Sequence, residues 1–274
     1  MSNKALQQPQ GTEQEFLRIF NSLLGRKQAW QVWDDIMTAM ACSISNALEP
    51  DQKRRMAREK EYEKAVQGYD FDVLGELFGI VVLAMDRKPD QDFLGAMYMN
   101  LNLGSHWTGQ FFTPYSVCRM MAQTTIDKDL VEKQIEKKGW ISVSDPSCGA
   151  GATLVSAANE LLNLGVNYQT QCLFVGQDID RVVAKMCYIQ LSLLGCAGYI
   201  AVANTLTDPI TGDTLQPYEK GGQEFWYTPM YWSDLWTGRR IARMMDLQTR
   251  RAQKLEEQKK HTFVFIYDEE GETA

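Results

Sequence analysis

The sequence predicts an α/β protein, with helices first and then a parallel sheet flanked by helices. Apolar residues recur at spacings of three and four through roughly the first hundred positions, which is the helical period. From about residue 110, short β-rich apolar runs ending in small or acidic residues alternate with further helical stripes. No internal repeat or low-complexity segment breaks that order.

Taken in order, Phe16, Phe20 and Leu23 form a first stripe, and Trp30, Trp33, Met37 and Met40 a second. Residues 51–64, DQKRRMAREKEYEK, mix both charge signs with almost no apolar face, so a solvated helix or exposed arm is expected. Phe71, Leu74, Phe78, Val81 and Met85 then resume the helical period. Strands follow at WISVSD (140–145), CLFVGQD (172–178) and GYIAVAN (198–204), with Val182, Met186, Ile189 and Leu193 marking a helix between the last two. EFWY (224–227) reads as a fourth strand. After Gly238 comes a basic helical stretch, then HTFVFIYD (261–268), one more expected strand. The divisions are a disordered lead at 1–12, a helical domain at 13–105 and a sheet-bearing domain at 106–274.

Composition narrows the class of function. A chain of 274 residues, 45% of them hydrophobic, can bury a full core. It has no uninterrupted run of about eighteen apolar residues, so no spanning helix and no membrane association are expected. The N-terminus lacks the apolar core of a secretion signal, which points to the cytoplasm. The six cysteines contain no Cys-x-x-Cys pair, and the two histidines, His106 and His261, stand far apart. No metal site is expected, and the thiols read as buried and reduced. Net charge is −7. Phosphate contacts supply most non-specific affinity for DNA, so a chain that gripped DNA alone would carry a basic excess. Either the basic residues gather on one face, or a partner supplies the grip.

The strongest local signal is Asp145-Pro146-Ser147-Cys148-Gly149-Ala150-Gly151, which ends a strand and opens a helix. Its two glycines let the backbone turn tightly and approach a ligand. The next strand ends at Asp178, followed by Ile179, and a carboxylate at that place suits a ribose diol. Asp180 reads as the cap of the following helix. The third strand ends at Asn204, whose amide can serve an adenine edge because it both donates and accepts. Three successive strand ends with polar residues point to a nucleoside pocket.

Gly109-Gln110-Phe111-Phe112-Thr113-Pro114, then DPSCGAG, GQDID and ANTL, resemble the N6-adenine DNA methylase family, most closely the modification subunits of type I restriction systems. The resemblance runs from about residue 90 to about residue 235. It implies a Rossmann-like methyltransferase sheet, S-adenosylmethionine as cofactor, and methyl transfer to the exocyclic amine of adenine in DNA. By position, Phe112, Thr113 and Pro114 would meet the methionine end, with Asp145, Ser147, Gly149 and Gly151 beneath it. Asp178 and Ile179 would take the ribose side, and Asn204 the adenine.

The family places Asn-Pro-Pro-aromatic after its fourth strand, where the Asn accepts from the target amine and the ring stacks on a flipped base. The positional counterpart here is Thr228-Pro229-Met230-Tyr231, with Tyr227, Trp226 and Trp232 nearby. Thr228, Pro229 and Tyr231 are therefore the catalytic candidates. A Thr hydroxyl accepts one hydrogen bond but is shorter and also donates, and losing an aligned acceptor at a reacting centre costs roughly 3 kcal/mol in the barrier. Type I modification subunits rely on a separate specificity subunit. Here only about forty residues follow Tyr231, with Arg239, Arg240, Arg243, Arg250 and Arg251 suited to a partner or to phosphates. Two readings follow: an adenine-specific DNA methyltransferase working with a partner, or a cofactor-binding pseudoenzyme acting as a structural or regulatory subunit.

Overall fold

The computed structural model describes residues 11–25, 27–103 and 112–269, with side chains as far as residue 258. Most of the expected lead, together with Gly109, Gln110 and Phe111 of the GQFFTP motif, lies outside the described residues. The protein is a helix-rich mixed α/β chain, and it divides after Ser233 into two units.

The first unit opens with five helices: α1 (Thr12–Ser22), α2 (Ala29–Asn46), α3 (Gln52–Ala65), α4 (Phe71–Arg87) and α5 (Phe93–Asn100). Next come α6 (Tyr115–Thr125), α7 (Lys128–Lys138), β1 (Ile141–Asp145), α8 (Ala152–Asn163), α9 (Tyr168–Gln171) and β2 (Cys172–Asp178). The unit ends with α10 (Arg181–Leu193), β3 (Ala197–Val202), β4 (Thr211–Asp213), β5 (Gln216–Tyr218) and β6 (Glu224–Tyr227). The apolar stripes of the early helices meet at Trp33, whose ring lies 5.9 Å from both Phe16 and Phe20 and 5.8 Å from Tyr98. One continuous buried core joins these helices to the sheet, running from Phe16 through Phe174 and Ile189 to Trp226. The stripes are narrower than their periodicity suggests: Trp30 is 56% exposed and Phe71 also faces solvent. Both sit in a helix's first turn, where the matching register no longer faces the core.

The main sheet has the order β1-β2-β3-β6. β1, β2 and β3 are parallel, with Asp145 opposite Gly176 and Asp178 opposite Val202. β6 is antiparallel to β3, pairing Tyr227 with Tyr199 and Glu224 with Val202. This differs from the all-parallel expectation and has a simple cause. A parallel neighbour needs a crossover of a dozen or more residues, usually a helix. Between β3 and β6 there is only the small hairpin β4–β5, so the chain re-enters from the end at which β3 left.

The mixed-charge segment is mostly a solvated helix, as its composition suggests, except along one line. Arg58 is buried, donating to Glu49 at 2.9 Å, to Ser45 and to the Phe225 carbonyl, and its guanidinium lies 4.2 Å from the Trp226 ring. Arg54 bonds Glu49 at 3.0 Å and Glu219 at 2.8 Å. Helix α3 is thus a clamp on the outer strand β6.

The second unit is a single helix, α11 (Asp234–Glu269). It continues through residues 261–268, where a strand was expected. A helix satisfies its own backbone groups, whereas a lone strand needs a paired neighbour. Asp246 accepts from both Arg243 at 3.0 Å and Arg250 at 2.9 Å, which neutralises part of the basic run. No described helix is long and apolar enough to cross a membrane.

Candidate functional site

The parallel strands all end on one side of the sheet, and the polar strand ends gather there. β1 delivers Asp145, β2 delivers Asp178, and the turn after β3 delivers Asn204. Backbone bonds fasten these ends together: the Cys148 N–H donates to the Gln177 carbonyl at 3.0 Å, and the Ala203 N–H to the Asp178 carbonyl at 2.9 Å. Thr205 adds a hydroxyl bond to the Pro146 carbonyl.

The turn from β1 into α8 depends on its glycines. Gly149 has φ +52°, and a Cβ there would lie in contact with the Phe112 ring at 3.4 Å. Gly151 has φ +95°, and a Cβ would meet Cys187 Sγ at 2.8 Å. Side chains strongly disfavour that backbone region, so the turn is reserved for glycine. Asp178 reaches across to hold it, with Oδ2 accepting the Gly149 N–H at 2.8 Å and Oδ1 the Asp180 N–H at 2.9 Å. Burial raises the Asp178 carboxyl above the ordinary range, against the pull of those two bonds. Each carboxylate oxygen keeps a second lone pair for a ligand hydroxyl. Asp180 caps α10, accepting from Val182 N–H at 2.8 Å.

Beside this turn lies a cavity of about 390 Å³, open mouth included, lined by Phe112, Thr113, Asp145, Ser147 and Gly149 of the expected residues. Asp92, Cys118, Cys148, Ala150, Ala152 and Thr153 complete the lining. Pro114 precedes α6 directly and Gly151 starts α8, each adjoining the cavity wall in sequence. Asp178, Ile179 and Asn204 line the neighbouring strand ends rather than the cavity itself. Ile179 is 66% exposed, an apolar side chain offered to solvent beside Asp178. Asn204 spends its Oδ1 on the Leu206 N–H at 2.9 Å and the Thr207 N–H at 3.2 Å.

Sequence patterns did not single out Asp92 or Thr153. Thr153 donates to Asp145 Oδ2 and fixes its carboxylate, a role that its place in the first turn after Gly151 foreshadows. Asp92 arrives from α5, some fifty residues before the turn, and only the packing of α5 on α10 brings it there. Cys118 serves as packing: burial pushes its thiol up to about 11, so it stays protonated. All six cysteines are free and buried. Among the described residues, no cluster of three or more His, Cys, Asp or Glu side chains is placed to hold a metal.

The three catalytic candidates are not brought to this crevice. Because β6 runs antiparallel, Thr228 lies beside Gly198, at the start of β3, whereas the crevice lies at its end. The four residue steps from Gly198 to Val202 span about 13 Å at roughly 3.3 Å per residue. Thr228 is fully buried, and its Oγ1 donates to the Cys196 carbonyl at 2.7 Å while accepting the Gly198 N–H at 2.9 Å. Pro229 starts the short 3-10 turn that follows. Tyr231 is buried, and its hydroxyl donates to the Leu215 carbonyl at 2.7 Å. Its ring belongs to a cluster with Tyr227 at 4.7 Å, Trp232 at 4.9 Å and Tyr199 at 6.0 Å. At the crevice end, β6 instead presents Glu224, paired with Arg181 at 2.6 Å.

The Type I restriction enzyme MjaIX methylase subunit of Methanocaldococcus jannaschii is 21% identical over 173 residues, covering 61% of this chain. The chain spans only 29% of that relative's length. A model of N-6 DNA methylases matches residues 90–268, a stretch that takes in Asp92, the glycine turn and all three strand ends. The chain belongs to the N-6 DNA methylase family.

Proposed function

We propose that this chain binds S-adenosylmethionine at the ends of β1, β2 and β3 and serves as the cofactor-holding part of an adenine-specific DNA methyltransferase. The observation that carries this reading is the Asp178–Gly149 bond, which joins a ribose-reading carboxylate to a glycine turn beside a cavity lined by Phe112, Thr113 and Asp145. The residues present fit the cofactor. Phe112, Thr113 and Pro114, with Asp145, Ser147, Gly149 and Gly151, would hold its amino-acid end. Asp178 would accept from the ribose hydroxyls, Ile179 would pack on the nucleoside, and Asn204 would donate to adenine. When bound, S-adenosylmethionine supplies an electrophilic methyl group. In this reading, residues 13–105 are a helical domain and residues 106–274 a Rossmann-like methyltransferase domain, working in the cytoplasm.

The burial of Thr228 and Tyr231 favours a division of labour. The acceptor for the target amine and the stacking ring would come from outside this crevice, from a partner or specificity subunit of the kind that the methylase subunit of a restriction enzyme implies. Exposed Ile241, Met244, Met245 and Leu255 on α11, interleaved with arginines, suit such a partner. The same burial supports a second reading, a cofactor-binding pseudoenzyme with a structural or regulatory role.

Calorimetric titration with S-adenosylmethionine tests binding, and labelled methyl transfer to DNA, alone and with the partner, tests turnover. Binding that is weakened by Asp178→Ala, with N6-methyladenine formed only when a partner is added, is the expected result. Binding without transfer under any pairing would select the pseudoenzyme. Absence of binding would sink both.

A further inference from the structure

The cavity beside the glycine turn is lined by two carboxylates, Asp92 and Asp145, and by no lysine, arginine or histidine among the described residues. Its chemistry therefore suits a cation. The two acids differ in what they already hold. Asp145 is engaged within its own turn, with Oδ1 accepting the Ser147 N–H at 2.9 Å and Oδ2 the Thr153 hydroxyl.

Asp92 is only 8% exposed. Its Oδ1 accepts from Gln190 Nε2 at 2.8 Å and from the Gly95 N–H at 3.0 Å. Oδ2 accepts no hydrogen bond from any described residue. The carboxylate is also fixed in place. It caps α5, and the space a Cβ on Gly95 would occupy is taken by Asp92 itself, with Oδ2 at 2.0 Å. Gln190 donates in addition to the Ala150 carbonyl at 2.8 Å, so one side chain ties the acid to the glycine turn. Burial raises the Asp92 carboxyl above the ordinary range, against the pull of its bonds from Gln190 and Gly95.

We propose that Asp92 binds the α-ammonium group of S-adenosylmethionine through its open Oδ2, an assignment that rests on the cofactor reading above. The ammonium offers three N–H donors to an oxygen that lacks one, whereas the sulfonium centre has no hydrogen on sulfur to donate. Asp92 thereby reads the amino-acid end of the cofactor, and helix α5 contributes directly to its specificity.

The test is a calorimetric panel on the full chain with three ligands: S-adenosylmethionine, S-adenosylhomocysteine, which keeps the ammonium but has a neutral sulfur, and 5′-methylthioadenosine, whose sulfur is also neutral and which lacks the ammonium. Asp92→Asn keeps an acceptor for Gly95 and Gln190, and Asp92→Ser keeps the helix cap if the Asn variant folds poorly. Losing a charged hydrogen bond should weaken the first two ligands by about tenfold to a hundredfold and leave 5′-methylthioadenosine unchanged. Equal loss for all three ligands, or failure of both variants to fold, would make Asp92 a structural residue and overturn the assignment. Loss for S-adenosylmethionine alone would move the contact to the sulfonium, and no loss at all would remove Asp92 from the site. A wild-type chain that binds none of the three refutes the cofactor reading instead, which is a separate outcome.

Discussion

Thr228 Oγ1 accepts the Gly198 N–H at 2.9 Å, which locates the degenerate counterpart of the family's catalytic motif at the first residues of β3 and away from its polar end. The direction of β6 produces this. The segment expected to be catalytic is instead part of the hydrogen bonding that ties the end of β6 to the start of β3.

Thr228→Asn should therefore fail to create methyl transfer. The site is fully buried, and forcing in the longer side chain is expected to cost about 1–3 kcal/mol. Thr228→Val should cost a similar amount, about 1–3 kcal/mol, by leaving the Gly198 N–H unpaired. Urea unfolding midpoints measure the loss. S-adenosylmethionine affinity should stay within about twofold of wild type for both variants, since Thr228 is remote from the crevice.

Gly151→Ala should destabilise the fold by about 1–3 kcal/mol, because the positive φ and the contact with Cys187 act together. The two causes are separable. Adding Cys187→Ala removes the Sγ contact at 2.8 Å and should recover only part of the loss, with the backbone strain remaining. Thermal melting of the single and double variants reads the division, and full recovery in the double variant would refute the strain component.

Arg58→Ala should be among the most damaging changes in α3. It leaves the buried Glu49 carboxylate with Arg54 as its remaining cation and frees the Phe225 carbonyl, and each buried polar group left short of a partner costs about 1–3 kcal/mol. Arg55→Ala, on the exposed face of the same helix, should change stability by less than about 0.5 kcal/mol. Denaturant titration distinguishes the two. Comparable effects would mean that α3 is not clamped to β6 through Arg58.

The raised Asp178 carboxyl has a defined pH signature. The folded state binds that proton more tightly than the unfolded chain, whose value is near 3.8. Its favourable contribution is complete below that value and is lost as pH rises through the higher folded one. Asp178→Asn cannot titrate. The melting temperature of the variant, relative to wild type, should therefore improve as pH rises from about 4 towards neutrality. A constant offset across that range would show that the carboxyl is not raised.

The candidate site was legible in the sequence where its determinants are local. Asp145, Gly149 and Gly151 form one turn, and Asp178 and Asn204 end strands whose β-rich composition marks them. Phe112 and Thr113 were accessible through the paired motifs. Asp92 gave no such signal, because a helix-capping aspartate looks the same whether or not a cavity lies beside it. Arg58 was hidden in a segment whose average composition is that of a solvated helix.

The sequence alone determined the helix-rich α/β class, the succession of three parallel strands along the chain and their polar ends, since periodicity and turn chemistry act within a dozen residues. Tertiary structure decided the rest: the antiparallel return of β6, the burial of Thr228 and Tyr231, the clamp from α3, and the arrival of Asp92 at the cavity. Strand direction depends on where a connection brings the chain back, and burial depends on what packs from elsewhere. Neither is encoded within a local window.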